Sequence, residues 1–246
     1  MCANYTPSPK DVIAAHFGVQ LGLFDFPLET FPGYMAPIVR RVRGTDTDVE
    51  CVLACFGMVP HWADLKLARS TYNARSETVA QKPSFREAWK RRQFCIIPAR
   101  ALFEPRYATE QPVRWRIERA DGGPLGIAGI WETKPDGPDG QPLISFSMLT
   151  INADEHGLMR QFHQPDDEKR MVVILEPWQY AGWLRGDLAG STAVFRTYPA
   201  ELLSACADPL PLKSRPARPD WRLESGRQGV DGPSGKPAAP GQGELF

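Results

Sequence analysis

The sequence LGIAGIW, residues 125–131, decides the fold class of this chain. A short apolar run between turn-forming residues is typical of a buried β-strand. Similar apolar or alternating runs predict five further strands, at residues 49–59, 94–98, 113–118, 143–151 and 171–175. The chain is therefore expected to contain more strand than helix.

Helix signals are fewer, and they consist of capping or turn-forming residues that precede apolar residues. They predict helices at residues 84–91, 155–161, 177–184 and 200–206. The chain has no GxGxxG or GxxxxGKS motif, no regular β-α-β alternation and no internal repeat. We therefore predict an α+β fold with a largely antiparallel, barrel-like sheet core and flanking helices.

The composition is that of a globular protein, with 42% hydrophobic and 24% charged residues among 246. This length can bury a substantial core, and we predict one domain over residues 1–208. Residues 209–246 are rich in Pro, Gly and Ser, so they are expected to form a disordered tail. The tail ends in Gln242, Leu245 and Phe246, which resemble the Q-x-x-L-F peptides that dock on the bacterial sliding clamp. The alternative is a tail end without function.

No apolar stretch approaches the roughly 18 residues of a membrane span, and the N-terminus does not resemble a signal peptide. We expect a cytoplasmic, nucleoid-associated monomer. The five cysteines are at positions 2, 51, 55, 95 and 206 and lack a CxxC pair, so neither a disulfide nor a metal site is expected. Cys51 and Cys55 lie in an apolar run and are expected in the core. No cofactor is predicted.

Cys2 directly follows Met1, and removal of that methionine would leave a thiol and a free α-amine on one residue. Such a 1,2-aminothiol condenses with an aldehyde to an imine, and the thiol closes on the imine carbon to form a thiazolidine. The structural alternative is a small hydrophobic residue near a chain end.

Positive charge is concentrated between Lys66 and Arg106, although the whole chain has no net charge. This segment holds ten Lys or Arg residues against three Asp or Glu, a local balance of +7. A local excess of this kind suits a groove that follows a nucleic-acid backbone. The alternative is a solvated helix face around residues 84–91, which include Arg86 and Trp89.

Four motifs occur in order in the central part of the chain: FGMVPHW at 56–62, YNARSET at 72–78, CIIPARALFE at 95–104 and AGIWE at 128–132. Together with Cys2, they resemble the SRAP family (SOS response-associated peptidase). Members of that family begin Met-Cys-Gly-Arg and carry W-G-L-I-P-x-W, N-A-R-x-E-T, G-F-Y-E-W-like and A-G-L-W-E elements. The resemblance extends in order from Cys2 to about residue 175.

The resemblance implies a covalent sensor of abasic sites in single-stranded DNA, which captures the open aldehyde as a thiazolidine on Cys2. Asn73 would hold the N-terminal residue and the lesion, and Arg75 would bind a phosphate. Glu104 would move protons. His163, matched to the histidine of an H-x-R-M-P element, would assist imine formation and reversal. Further DNA contacts are expected from Asn4, Trp62, Arg75, Arg86, Trp89 and Arg170.

Each of these matched residues also has a structural alternative. Asn73 could be a turn residue, Arg75 an ion-pair partner of Glu77, Glu104 a solvated acid beside Arg106, and His163 a helix C-cap. Glu104 is predicted at the end of a strand, where a carboxylate indicates a function.

Three departures separate the chain from the family pattern. Ala3 and Asn4 replace Gly-Arg, which removes a phosphate-contacting arginine beside the nucleophile. FEP at 103–105 replaces the element that ends Glu-Trp and so lacks an indole. Six residues, 164–169, separate His163 from Arg170, which makes His156 a rival for the histidine role.

Two other functions stay open from the sequence. A thiol peptidase or autoprotease would use Cys2 as its nucleophile with His163 as base. A single-stranded DNA-binding module would use the basic groove without covalent chemistry.

Overall fold

A computed structural model describes residues 2–42, 44–45, 48–107, 111–188 and 193–210. The predicted tail, with Gln242, Leu245 and Phe246, lies outside the described residues beyond position 210, so the clamp-binding end stays a prediction.

The strands are β1 Tyr5–Pro7, β2 Met35–Arg41, β3 Val49–Phe56, β4 Asn73–Arg75, β5 Phe94–Arg106, β6 Val113–Arg119, β7 Leu125–Lys134, β8 Leu143–Asn152, β9 Arg170–Val172, β10 Ile174–Leu175 and β11 Leu203–Ala207. The α-helices are α1 Lys10–Phe17, α2 Arg86–Lys90 and α3 Tyr180–Arg185. Short 3-10 turns occupy Leu65–Arg69, Pro138–Gly140, Met159–Gln161, Pro177–Gln179 and Ala200–Leu202.

The sheet closes on itself through five strands in the order β7, β8, β3, β2 and β5, because β5 also pairs with β7. The strand pairs β3–β8 and β4–β8 are parallel, and the other pairs between these strands are antiparallel. Closure removes free edges from this ring of strands. The predicted α+β fold with a largely antiparallel, barrel-like core and flanking helices is confirmed.

The apolar run LGIAGIW forms most of β7, and all of its residues from Leu125 to Trp131 are buried. Gly129 lies opposite Cys95 on β5 and opposite Met148 on β8. A Cβ atom at this position would lie 2.4 Å from the Ile97 Cδ1 and 2.8 Å from the Ser147 carbonyl oxygen. Glycine is therefore required here because β7 packs closely against both neighbours.

Strand β5 is longer than the run that predicted it and contains 13 residues. Its first half pairs with β2 and β7, while its second half pairs with β6. Glu104 therefore lies within a strand and not, as predicted, at a strand end.

The N-terminal segment runs antiparallel to the second half of β5. Tyr5 pairs with Leu102, and the Phe103 N–H donates to the Asn4 carbonyl oxygen at 3.0 Å. Continuing this antiparallel register towards the N-terminus places Ala3 opposite Glu104 and Cys2 opposite Pro105. A side-chain hydrogen bond between the Cys2 thiol and the Glu104 carboxyl group brings these two residues together.

Two of the four helix predictions were wrong. Residues 200–206 form a 3-10 turn and then β11, because Leu203 to Ala207 pair with β6 and satisfy its outer edge. Residues 155–161 contain turns and only a short 3-10 segment. None of the helices in the described part of the chain is both long and apolar enough to cross a bilayer.

Candidate active site

Cys2 lies in the interior of the protein beside β4 and β5. Its backbone carbonyl oxygen accepts a hydrogen bond from the Asn73 Nδ2 at 2.8 Å, and its thiol donates to the Asn4 carbonyl oxygen at 3.4 Å. Burial, followed by the nearby Glu104 carboxylate, raises the pKa of the Cys2 thiol well above its usual range. The thiol is therefore protonated at neutral pH, so a nearby base must take its proton before sulfur can react.

Glu104 supplies a carboxyl group beside this thiol. Its side chain is only 3% exposed, and burial raises its pKa from the ordinary 4.5 to about 7. A carboxyl group with this pKa is present in both protonation states near neutral pH, so it can donate and accept protons there.

His163 approaches Glu104 from the connection between β8 and β9. Its backbone N–H donates to the Pro105 carbonyl oxygen at 2.9 Å, and its φ of +67° lies in the left-handed region that non-glycine residues rarely adopt. The ring Nδ1 lies 3.3 Å from the Glu104 Oε2, and Nε2 lies 3.2 Å from the Arg170 carbonyl oxygen. The unusual backbone conformation and these contacts hold the ring against Glu104.

These contacts determine where the protons lie. Burial lowers the pKa of His163 to about 4, so its ring is neutral at pH 7. A carbonyl oxygen only accepts hydrogen bonds, so the Nε2 facing Arg170 carries the ring proton and Nδ1 presents a lone pair. Protonated Glu104 can donate to that lone pair, whereas ionised Glu104 would face it. The histidine therefore favours Glu104 as an acid in the resting site.

His156, the rival histidine, has a different environment. Its Nδ1 accepts the backbone N–H groups of Leu158 at 3.2 Å and Met159 at 2.9 Å. Its Nε2 lies 2.6 Å from the Tyr198 carbonyl oxygen. Both ring nitrogens of His156 thus bond to backbone groups, and the ring stabilises the turn that follows it.

Arg75 lies at the end of β4, on the same side of the strand as Asn73 because side chains alternate. Its side chain is 49% exposed, and its guanidinium lies 2.7 Å from the Glu168 carboxylate. The structural alternative for Arg75, an ion pair with Glu77, is not formed among the described residues, since Glu77 lies 2.8 Å from Arg170.

Arg170, which the sequence placed among the DNA-binding residues, is 2% exposed. It contacts Glu77 and Glu168, and its Nη2 donates to the Thr150 carbonyl oxygen at 2.8 Å. Its charge is satisfied within the protein, so it joins β8, β9 and the loop before β9.

A cavity of about 350 Å³ adjoins the buried group, and Ala3, Asn4, Glu104 and Arg114 are among its lining residues. Glu104 thus reaches both the buried thiol and a space that a small organic group can enter. Within the described residues, no group of three or more His, Cys, Asp or Glu side chains is arranged to hold a metal ion.

The remaining predicted DNA contacts do not gather at this cavity. Trp62 is exposed beside His61, whose carbonyl oxygen accepts from Lys134 at the end of β7. Arg86 is exposed on α2. Trp89 on the same helix packs its ring 5.2 Å from Phe94 at the start of β5, ten residues from Glu104.

Comparison with known proteins identifies the family. The model of the family described as SOS response associated peptidase (SRAP) matches residues 1–207. The chain belongs to the SRAP family. A solved structure of a protein from Bordetella bronchiseptica is 37% identical, has a TM-score of 0.76, and covers 85% of this chain and 100% of its own. A structure from Bacteroides thetaiotaomicron is 23% identical with a TM-score of 0.68, covers 84% of this chain and 91% of its own, and supports the fold alone.

Two curated relatives of this SRAP chain come from Bacillus subtilis (strain 168). The abasic site processing proteins YoqW and YoaM are 34% and 32% identical over 131 residues, which are 52% of this chain and 54% of each relative. The chain thus matches about half the length of these relatives.

The structure also shows two residues near the SRAP site that the sequence analysis missed. Arg114 on β6 donates to the Asn4 Oδ1 at 3.2 Å and lies 3.4 Å over the ring of Phe103. Trp115 is the cross-strand partner of Glu104. A guanidinium and an indole therefore stand near Asn4 and Glu104, where the SRAP arginine and tryptophan are missing from the local sequence. No local sequence pattern links Arg114 to Asn4, which lies 110 positions away in the chain.

Proposed function

We propose that this protein processes abasic sites in DNA by forming a thiazolidine crosslink between Cys2 and the abasic deoxyribose of single-stranded DNA. The observation that carries the proposal is the position of Glu104, which touches Cys2, His163 and an open cavity. Its pKa of about 7 suits the proton transfers of this reaction. The names of the Bacillus relatives, abasic site processing proteins, support the same substrate.

The reaction needs no redox step. After removal of Met1, the Cys2 α-amine adds to the aldehyde carbon of the open abasic sugar to form a carbinolamine. The carbinolamine loses its hydroxyl as water and becomes an imine. The Cys2 sulfur then adds to the imine carbon while the thiol proton is transferred to the nitrogen, which closes the five-membered ring. Water is the single leaving group.

Glu104 serves both halves of this sequence. As a carboxylic acid, it protonates the sugar oxygen during ring opening and the departing hydroxyl during imine formation. As a carboxylate, it then accepts the proton of the Cys2 thiol, whose own pKa is too high for spontaneous ionisation. His163 favours the acid form before the reaction because its Nδ1 accepts the Glu104 proton.

The surrounding residues position the reactants. Asn73 holds the Cys2 carbonyl group through its Nδ2 at 2.8 Å. Arg114 anchors Asn4 and thereby the N-terminal segment. Arg75, with half of its side chain exposed, binds a DNA phosphate after exchanging its contact with Glu168.

A thiol peptidase is the second candidate, and the electrostatics of the site argue against it. Cysteine peptidases keep a thiolate beside an imidazolium, which lowers the cysteine pKa. Here burial raises the pKa of Cys2 and lowers that of His163 to about 4, so both groups are neutral at rest. A neutral thiol and a separate acid suit imine chemistry better.

The deciding experiment uses single-stranded DNA with one abasic site. The full chain should give a shifted band that survives denaturation, and mass spectrometry should show that Met1 is absent from the crosslinked protein. Cys2→Ala should lose this stable band because the sulfur is missing. Borohydride should restore a covalent band in Cys2→Ala, because the α-amine still forms an imine that the reagent reduces.

Each alternative predicts a different result. A non-covalent binding module gives a band that is lost on denaturation in every variant. A stable wild-type adduct that is unchanged in Cys2→Ala would contradict the role of the sulfur. An adduct formed by protein that retains Met1 would contradict the thiazolidine, since no amine is then free on Cys2.

A further inference from the structure

A second cavity, of about 320 Å³, opens near the start of β5. Arg41, Arg91, Arg92 and Gln93 are among its lining residues, and Phe94 and Trp131 contribute apolar surface. This volume is at the lower end of the range of small-molecule sites, roughly 300–1,000 Å³. Phe94 and Glu104 are ten residues apart on the same strand, which corresponds to at most about 33 Å. The two cavities therefore lie at opposite ends of β5.

Gln93 is the unusual residue of this cavity. It is 8% exposed, and neither its Nε2 nor its Oε1 has a hydrogen-bond partner among the described residues. A buried amide without partners destabilises the folded protein, so buried side-chain amides are normally satisfied. The backbone of Gln93 is satisfied, since its N–H donates to Ala88 and its carbonyl oxygen accepts from Trp131. A side chain that is unpaired beside a cavity points to a ligand in that cavity.

The charge of the cavity indicates the ligand class. Arg91 contacts the buried Glu132 carboxylate and keeps half of its side chain exposed. Arg92 has no ion pair or side-chain hydrogen bond in the described part of the chain, and it adopts a left-handed φ of +52°. Arg91 is thus paired with Glu132 beside the cavity, and Arg92 adds a further positive charge to the lining. Guanidinium groups in such a cluster bind phosphate through paired hydrogen bonds.

We propose that this cavity binds the phosphate ester of a nucleotide, either free or within a DNA strand. Arg92 and Arg91 receive the phosphate oxygens, and the Gln93 Nε2 donates to one of them. The Gln93 Oε1 accepts a hydrogen bond from a hydroxyl or amino group of the same ligand, which inorganic phosphate offers less well. The apolar surface of Phe94 and Trp131 accommodates the sugar or base. This site is separate from the proposed reaction at Cys2 and does not depend on it.

The test measures binding to the full chain by titration calorimetry with three probes. They are inorganic phosphate, thymidine 5′-monophosphate and a 20-nucleotide single strand without an abasic site. Wild-type protein is compared with Arg92→Ala and Gln93→Leu, and Lys10→Ala serves as the control because it removes one exposed positive charge from α1. Loss of a charge-assisted hydrogen bond should weaken binding about tenfold in Arg92→Ala, while Lys10→Ala stays within about twofold.

The probes distinguish the two sources of the phosphate. A free-nucleotide site shows saturable binding of thymidine monophosphate that both cavity variants weaken. A DNA site shows weak nucleotide binding and a loss of affinity for the 20-nucleotide strand in the same variants. Equal affinities of wild-type and variant proteins for all three probes would overturn the proposal.

Thermal unfolding provides the second readout. Gln93→Leu removes an unsatisfied buried amide, so the melting temperature of the unliganded protein should be unchanged or higher. A lower melting temperature without a change in binding would show that Gln93 has a structural role, and this result would also overturn the proposal.

Discussion

The connection between β8 and β9 contains two buried histidines in different settings. In its first half, residues 153–162, His156 bonds through both ring nitrogens to backbone groups. In its second half, residues 163–169, His163 faces the Glu104 carboxyl group, and Glu168 contacts Arg75. In the first half, the His156 ring contacts backbone groups of its own turn and of Tyr198. In the second half, His163 and Glu168 contact side chains of other strands.

This difference shows that burial alone does not identify a reactive histidine. Both imidazoles are withdrawn from solvent, but only His163 contacts a group that changes its protonation state near neutral pH. A ring that bonds only to the backbone stabilises the turn, whereas a ring beside an acid of pKa about 7 influences proton transfer.

The largest effect is expected when the partner of His163 is changed. Glu104→Gln keeps the shape of the side chain but removes the transferable proton, so the crosslinking rate should fall at least about a hundredfold. In the wild type, the reactive form needs a neutral α-amine, with a pKa near 8, and a protonated Glu104, with a pKa of about 7. The rate should therefore rise up to about pH 7, stay level between the two pKa values and fall above about pH 8. The fall should be absent from the variant when single-turnover rates are measured between pH 5 and 9.

Non-covalent binding to intact single-stranded DNA, measured by fluorescence anisotropy, is the control for Glu104→Gln. It should change little, because the substitution leaves Arg75 in place. A wild-type crosslinking rate in this variant would exclude Glu104 from the chemistry.

The same substitution should change stability in a pH-dependent way. Because burial raises the pKa of Glu104 from 4.5 to about 7, its contribution to stability is present below pH 4.5 and is lost as the pH rises through 7. Between pH 4.5 and pH 8, the wild type should therefore lose about 3 kcal/mol of unfolding free energy that Glu104→Gln keeps. Urea unfolding at both pH values measures this change. The exposed Glu87→Gln is the matched control, and a similar pH dependence there would refute the assignment.

Replacing each histidine by asparagine tests whether His163 affects the reaction and His156 affects stability. His163→Asn should slow both crosslink formation and its reversal about tenfold, since it removes the acceptor that favours the Glu104 acid. His156→Asn should lower the free energy of unfolding by about 1–3 kcal/mol, because buried backbone N–H groups lose their acceptor. Gel-based kinetics and urea unfolding of both variants measure these effects. The opposite pattern would assign the functional role to His156.

The smallest effect concerns Glu168. Removing its charge in Glu168→Gln frees Arg75 for a phosphate, so non-covalent affinity for single-stranded DNA should rise about two- to fivefold, as expected for an exposed ion pair. Anisotropy titrations measure the gain, which should disappear when Arg75→Ala is added. Glu77→Gln removes an equal charge from a residue that pairs with Arg170 instead. An equal gain in that control would attribute the change to overall charge and not to Arg75.

The strands could be predicted from the sequence because short apolar runs between turn residues rarely form anything other than buried strands. The six predicted runs all contain strand in the structure, although β5 extends from 94 to 106 and not only to 98. The helix expected over residues 200–206 failed because a free edge of β6 recruits that segment as β11. The secondary structure of a short segment depends more on its tertiary contacts than on its own propensity.

The site could be predicted in part. Cys2, Asn73, Glu104 and His163 come together in the structure, and the motifs had pointed to each of them. The burial of Arg170 was not predicted. Its partner Glu77 is distant in the chain, and its partner Glu168 lies in the inserted loop of residues 164–169, where no motif pointed to an ion pair. Arg114 was missed because its contact with Asn4 joins residues 110 positions apart.

The sequence by itself determined the fold class, the family and the residues of the candidate site, because these depend on local patterns and ordered motifs. Only the tertiary structure decided which histidine meets Glu104 and that Arg75 is held by Glu168. It also decided that Arg91 and Arg92 of the basic segment line a cavity at the start of β5, away from Glu104. The physical reason is that proton affinity and ion pairing depend on distance and desolvation, and both arise when strands remote in the chain pack together. LGIAGIW specified a strand, but the barrel it closes placed Glu104 where its pKa rises to about 7.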